Sequence, residues 1–138
     1  MSINFMVKMD HCKRASIRIE KYSDSEIDIE IGNSSHFDTA IINASWIRLT
    51  KKDVSSIMTY LDMYINGRCF NDKKYRVIYQ LTTMIMSIEA SKYTNDKLEI
   101  SICNESKFSG TIISEAFIRL DRGIADSIFN ELSEFIAE

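Results

Sequence analysis

Two periodicities succeed one another along the chain. In ASIRIEKY, Ile17 and Ile19 alternate with Arg18 and Glu20, and in EIDIEIG, Ile27, Ile29 and Ile31 alternate with Glu26, Asp28 and Glu30. Alternation with a period of two is the signature of a strand with one apolar and one polar face. YSDSE between them predicts a turn, and TAIINASWIRL a further β segment. The period then lengthens to about 3.6, and Val54, Ile57, Met58, Leu61, Tyr64 and Ile65 fall on one stripe of a helix. Thr50 stands where that helix needs an oxygen for its free backbone N–H groups, Asp53 completes a capping-box-like spacing, and Gly67 predicts its stop.

The same succession returns 71 residues later. Residues 16–67 laid over 87–138 without a gap share 18 identities in 52 positions, where unrelated chains would share roughly three or four. Asn33 matches Asn104, Phe37 matches Phe108, the pair Ile41 and Ile42 matches Ile112 and Ile113, and IRL at 47–49 matches 118–120. The second helix carries Ala125, Ile128, Phe129, Leu132, Phe135 and Ile136 on its stripe, with Asp121 at its N-cap. NFMVKM precedes the first unit and KYRVIYQLTTMIM the second, each read as one further strand.

The expected fold class is therefore α+β: tandem β-β-β-β-α units, repeat one over 1–67 and repeat two over 68–138, in a single domain. A lone sheet with one helix leaves apolar surface uncovered, and two copies can cover one another about an approximate twofold axis. The expectation is a dimer of antiparallel sheets fused into one chain, with further homodimerisation left open.

This order resembles that of the PUR repeat, of Whirly proteins and of single-stranded-DNA-binding transcriptional coactivators. The resemblance lies in SIRIEKY, a turn, EIDIEIG, a β segment ending in WIRLT and the amphipathic KKDVSSIMTYLDMYI, all repeated. It is a resemblance of pattern over nearly the whole chain. It implies single-stranded DNA or RNA binding on open sheet faces through aromatic and basic side chains.

Strand parity adds candidate residues. With Ile47 and Leu49 facing a core, Trp46 and Arg48 point the other way, and Phe117 and Arg119 follow them in the second copy. A duplicated aromatic beside a duplicated arginine suits base stacking and phosphate pairing. Lys21 with Tyr22 and Lys92 with Tyr93 form a second set, and Arg14 and Arg18 lie in a locally basic stretch over residues 1–22 that carries a net +3, matched by another +3 over 67–80. The competing expectation buries Trp46 and Phe117 between the halves, each arginine pairing a carboxylate.

Charge weighs against simple electrostatic capture. The chain holds 17 basic and 20 acidic residues, a net of −3, which excludes proteins that bind nucleic acid by charge alone. Glu26, Asp28 and Glu30, and Glu99 and Glu105 in the second copy, acidify the outward faces; Arg18 is expected to pair with Asp28 across the strands. A protein-binding adaptor or inhibitor, in the style of a phage-encoded factor acting on a host protein, is thus the alternative function.

Chemistry of other kinds has little footing. His11 beside Cys12 is the one such pair, and neighbours on a strand point apart; His36 is replaced by Lys107 in the second copy. Cys12, Cys69 and Cys103 make no CxxC pair, so neither a disulfide framework nor a metal site is indicated, no cofactor motif occurs, and no enzyme is expected. The triplets beginning at Asn33, Asn43 and Asn104 read as chance glycosylation matches. No run of eighteen apolar residues or signal-peptide pattern is present, so no membrane partner and a cytoplasmic location are expected.

Overall fold

The computed structural model describes residues 2–8, 13–35, 41–67, 75–94 and 97–138. The His11–Cys12 pair, His36, Phe37, Cys69, Arg68, Lys73 and Lys74 lie outside them. Strands β1 (Ser2–Lys8), β2 (Lys13–Lys21), β3 (Glu26–Ser35) and β4 (Ile41–Thr50) lead into helix α1 (Lys51–Ile65). Strands β5 (Tyr75–Gln80), β6 (Met84–Thr94), β7 (Lys97–Ser106) and β8 (Ile112–Leu120) lead into α2 (Arg122–Ala137). Each set of strands forms an antiparallel meander, β1-β2-β3-β4 and β5-β6-β7-β8. The α+β pseudo-dimer of duplicated four-stranded sheets, one helix each, is the architecture observed.

One boundary differs from the sequence reading. KYRVIYQLTTMIM is two strands: Leu81 N–H donates to the Met84 carbonyl at 2.8 Å and closes a turn through Thr82 and Thr83. An apolar run without Gly, Pro or Asn gave no punctuation there.

Alternation built the core as expected. Ile17, Ile19, Ile27, Ile29, Ile31, Ile47 and Leu49 are buried on the inner face of the first sheet, and Ile88, Ala90, Leu98, Ile100, Ile102, Ile118 and Leu120 on that of the second. The last strands meet at the centre, β4 crossing β8 and β7, and β8 crossing β4 and β3. The helices close the remaining side and pack along one another. Val54, Ile57, Leu61 and Tyr64 are buried on α1, joined by Tyr60, while Met58 and Ile65 are only partly covered.

Contacts between the halves reciprocate, as an isologous interface requires. Lys51 at the start of α1 lies over the Phe135 ring near the end of α2, 5.2 Å from its centroid, and Arg122, its counterpart, lies 5.7 Å from the centroid of Tyr64, the counterpart of Phe135. The helices therefore run antiparallel. Thr50 accepts from Asp53 N–H at 3.4 Å and Asp121 from Ile124 N–H at 2.9 Å, the two expected caps. Gly67, at φ +63°, follows α1 in the left-handed conformation that ends many helices.

At the centre sit two buried asparagines. Asn33 donates to the Phe117 carbonyl at 2.9 Å and accepts Phe117 N–H at 3.2 Å, so its amide pairs with the backbone of β8, the last strand of its sheet, as a neighbouring strand would. Asn104 donates to the Trp46 carbonyl at 3.2 Å and to the Ser45 and Ser114 hydroxyls at 3.1 and 3.2 Å, but its Oδ1 has no partner. The Ser45 and Ser114 hydroxyls, 3.0 Å apart, draw that amide nitrogen, and the twofold is broken there.

Candidate nucleic-acid interface

The parity that buries Ile47 and Leu49 turns Trp46 and Arg48 outward. Trp46 is 41% exposed, which overturns its burial between the halves; Phe117 is half-buried on the corresponding outer face. Ladder register sets each arginine opposite an acid, Arg48 against Asp28 and Arg119 against Glu99. Arg48 Nε and Nη2 donate to the two Asp28 oxygens at 2.7 and 3.0 Å, a bidentate fork. Arg119 Nε reaches Glu99 at 3.3 Å. That hydrogen bonding to Asp28 raises the Arg48 pKa further above its already high value, so the guanidinium is permanently charged.

Held by its acid, each guanidinium stacks on a tyrosine. The Arg48 guanidinium carbon lies 3.3 Å from the Tyr22 ring centroid and 5.6 Å from that of Trp46. Its counterpart on Arg119 lies 3.8 Å from Tyr93 and 5.1 Å from Phe117. Each outer face thus carries tyrosine, arginine and a second aromatic in one row, with an acid fixing the arginine. Cation–π attraction favours this spacing.

The remaining sequence candidates separate. Lys21 is on the inner-face register with Ile27, at the base of the sheet, where it pairs with Asp24 at 3.1 Å and Glu138 at 2.9 Å. Lys92 occupies the matching position opposite Leu98, so neither lysine joins the aromatic row; their neighbours Tyr22 and Tyr93 do. Arg18 points outward but pairs with Glu30 at 3.2 Å and Glu20 at 3.8 Å, not with Asp28, because the register sets Arg18 opposite Glu30. Arg14 shares that face, about 13 Å further along β2 at 3.3 Å per residue.

Arg18, Glu20, Asp28, Glu30, Trp46 and Arg48 line a shallow cavity of about 220 Å³ on the first outer face. Sequence reasoning expected each arginine to pair a carboxylate only together with burial of the aromatics; the pairing with Asp28 and Glu99 is observed, and Trp46 is exposed beside it. That reasoning missed two bulges. Ser34 pairs with Ile41 and Glu105 with Ile112, leaving Ile42 and Ile113 as extra residues, 55% and 60% exposed. The duplicated Ile-Ile was their signal, noted only as an identity between the repeats.

Other chemistry is sparse among the described residues. No group of three or more His, Cys, Asp and Glu side chains could hold a metal ion, and no helix is long and apolar enough to cross a membrane. Burial, then Glu115 and Glu105, push the Cys103 thiol above its usual pKa and leave it a poor nucleophile.

No family model matches the chain, and no curated protein matches it in sequence. Solved structures do match its fold. The structure of Trypanosoma brucei MRP1/MRP2 is similar with a TM-score of 0.58 and 8% identity, covering 98% of this chain and 83% of that one. A guide-RNA-binding protein complex bound to a gRNA is similar with a TM-score of 0.55 and 9% identity, covering 96% and 87%. Two antiparallel four-stranded sheets, each followed by a helix, are the layout shared with the first.

Proposed function

We propose that the protein binds single-stranded nucleic acid, RNA or DNA, on its outer sheet faces and without catalysis. The observation that carries this reading is the exposed Trp46 beside the immobilised Arg48 and Tyr22, repeated as Phe117, Arg119 and Tyr93. Rings fixed on a rigid sheet present stacking surface at little entropic cost, and stacking accepts any base. The fold shared with a gRNA-bound complex supports the reading, and the PUR and Whirly resemblance of element order belongs with it.

Arg18, Arg48 and Arg119 are each paired to a carboxylate, so phosphate attraction is muted and stacking leads. Trp46, the only tryptophan, supplies the test. Titrating short single-stranded RNA and DNA should quench its emission saturably, and Trp46→Ala and Phe117→Ala should each weaken binding while circular dichroism stays unchanged. Emission that no oligonucleotide moves, with both variants behaving like the parent, would remove the proposed faces from consideration.

A second reading, a protein-binding adaptor or inhibitor, is favoured by the apolar hairpin end where Phe108 is 80% exposed beside Ile112 and Ile113. Its mark would be one stoichiometric partner retained from host extract after nuclease treatment, and loss of that partner in Phe108→Ser.

A further inference from the structure

The two outer faces are alike at some positions and unlike at others. Shared are the acid, arginine and aromatics: Asp28 and Glu99, Arg48 and Arg119, Tyr22 and Tyr93, Trp46 and Phe117. Where the first cavity has Arg18, Glu20 and Glu30, the second face has Glu89, Ser91 and Ser101. The shared positions explain stacking. The unshared ones place the carboxylate of Glu30 opposite Trp46 where Ser101 stands opposite Phe117.

Glu30 is the cross-strand neighbour of Trp46, a placement that sets Cβ atoms about 5 Å apart. Arg18 Nη2 holds its Oε1 at 3.2 Å, and the side chain remains 41% exposed. One such bond occupies one of about four lone-pair sites on a carboxylate. An oriented acceptor therefore borders the stacking ring, with its charge partly balanced by Arg18.

A carboxylate can only accept, so it selects among bases by the donors they present. Guanine sets N1–H and N2–H side by side on its Watson–Crick edge, and both can bond to one carboxylate. Adenine and cytosine offer one amino donor next to a ring nitrogen whose lone pair faces the carboxylate. Uracil and thymine offer one N–H between two carbonyls. Unstacked single-stranded bases are read on these edges.

We infer that Glu30, oriented by Arg18, makes the first outer face selective for guanine, with Trp46 as the stacking platform, while the second face, with Ser101 opposite Phe117, stacks without that preference. The inference rests on the proposed nucleic-acid reading and names the base it favours.

The probes are the pentaribonucleotides UUGUU, UUIUU, UUAUU and UUUUU, titrated against Trp46 emission. Inosine keeps N1–H and lacks the N2 amine, so it tests the second donor without altering the protein. UUGUU should bind about tenfold more tightly than UUUUU, within the discrimination ordinarily given by a bidentate side-chain pair, and UUIUU should fall most of the way to UUUUU. In Glu30→Gln the guanine advantage, taken as the ratio of UUGUU to UUUUU affinity, should shrink to about twofold or less; release of Arg18 strengthens both oligomers alike and leaves that ratio as the readout. Equal affinities for all four oligomers, or a guanine preference that survives Glu30→Gln, would overturn the role of Glu30 and leave stacking intact. Absence of binding by every oligomer would overturn the nucleic-acid reading itself, and this inference with it.

Discussion

Asn33 holds Phe117 by both of its backbone polar groups, donating to the carbonyl at 2.9 Å and accepting the N–H at 3.2 Å across the junction of the sheets. The residue whose ring sits on the second outer face is thus fixed from behind by the first sheet. Asn104 grips Trp46 by the carbonyl alone.

That inequality sets the first prediction. Asn33→Ala strands a buried N–H and C=O and should cost about 2–4 kcal/mol, whereas Asn104→Ala, already short of one bond, should cost about 1–2 kcal/mol. Urea unfolding midpoints of the two variants decide it, and equal losses would mean the broken symmetry at Asn104 has no energetic counterpart.

The carboxylate fork on Arg48 predicts an effect opposite to the usual consequence of removing charge. Asp28→Ala releases Arg48 from its fork and makes it available to phosphate. Oligonucleotide binding should then become more salt-dependent, the slope of log K against log salt steepening by up to about 0.7 for one added contact to a single strand. An unchanged slope would place Arg48 out of reach of the backbone.

Lys21 and Glu138 tie the base of the first sheet to the end of α2. Hydrogen bonding to Lys21, then its charge, lowers the Glu138 carboxyl below its usual pKa, and the hydrogen bonds that Lys21 donates to Glu138 and Asp24 raise its own. A lowered acid contributes stability above its unfolded pKa and loses it as pH falls through the folded value; a raised base contributes below its unfolded pKa and loses it as pH rises through the folded one. The tie should therefore hold across neutral pH, weakening below the ordinary glutamate range and again above the ordinary lysine range. A carbon-detected NMR titration should place the Glu138 midpoint below that of a model glutamate, and Lys21→Gln should restore it.

The caps give a graded pair. Thr50→Ala and Asp121→Ala should each destabilise by about 1 kcal/mol, with Asp121→Ala the larger, since its bond is shorter at 2.9 against 3.4 Å and a carboxylate also favours the positive helix start. Thermal melts of the two variants check the order.

Much of this architecture was legible because it follows from local periodicity. Alternation assigned Ile47 and Leu49 inward and Trp46 outward, and the switch of period located both helices with their caps. Register across strands was not legible: no alternation says whether Arg18 faces Asp28 or Glu30, because that depends on how the hairpin between β2 and β3 closes. Lys21 was read with Tyr22 although adjacent strand residues face opposite ways, and parity alone would have separated them. The asparagine clasps were invisible for another reason. They join residues 84 and 58 apart in the chain, and Asn33 and Asn104 announced themselves as an identity between repeats and as chance glycosylation triplets, neither of which points to a clasp.

Fusing the two units in one chain has a consequence for how the faces can change. In a symmetric dimer of separate subunits every substitution strikes both faces together, so a residue that sharpens one site must be tolerated in the other. Here Glu30 and Ser101 occupy equivalent places on different stretches of the same chain. The antiparallel helices keep the shared frame, with Lys51 over Phe135 and Arg122 over Tyr64, while each outer face is free to vary on its own. Duplication gave this molecule one scaffold and two independently variable surfaces.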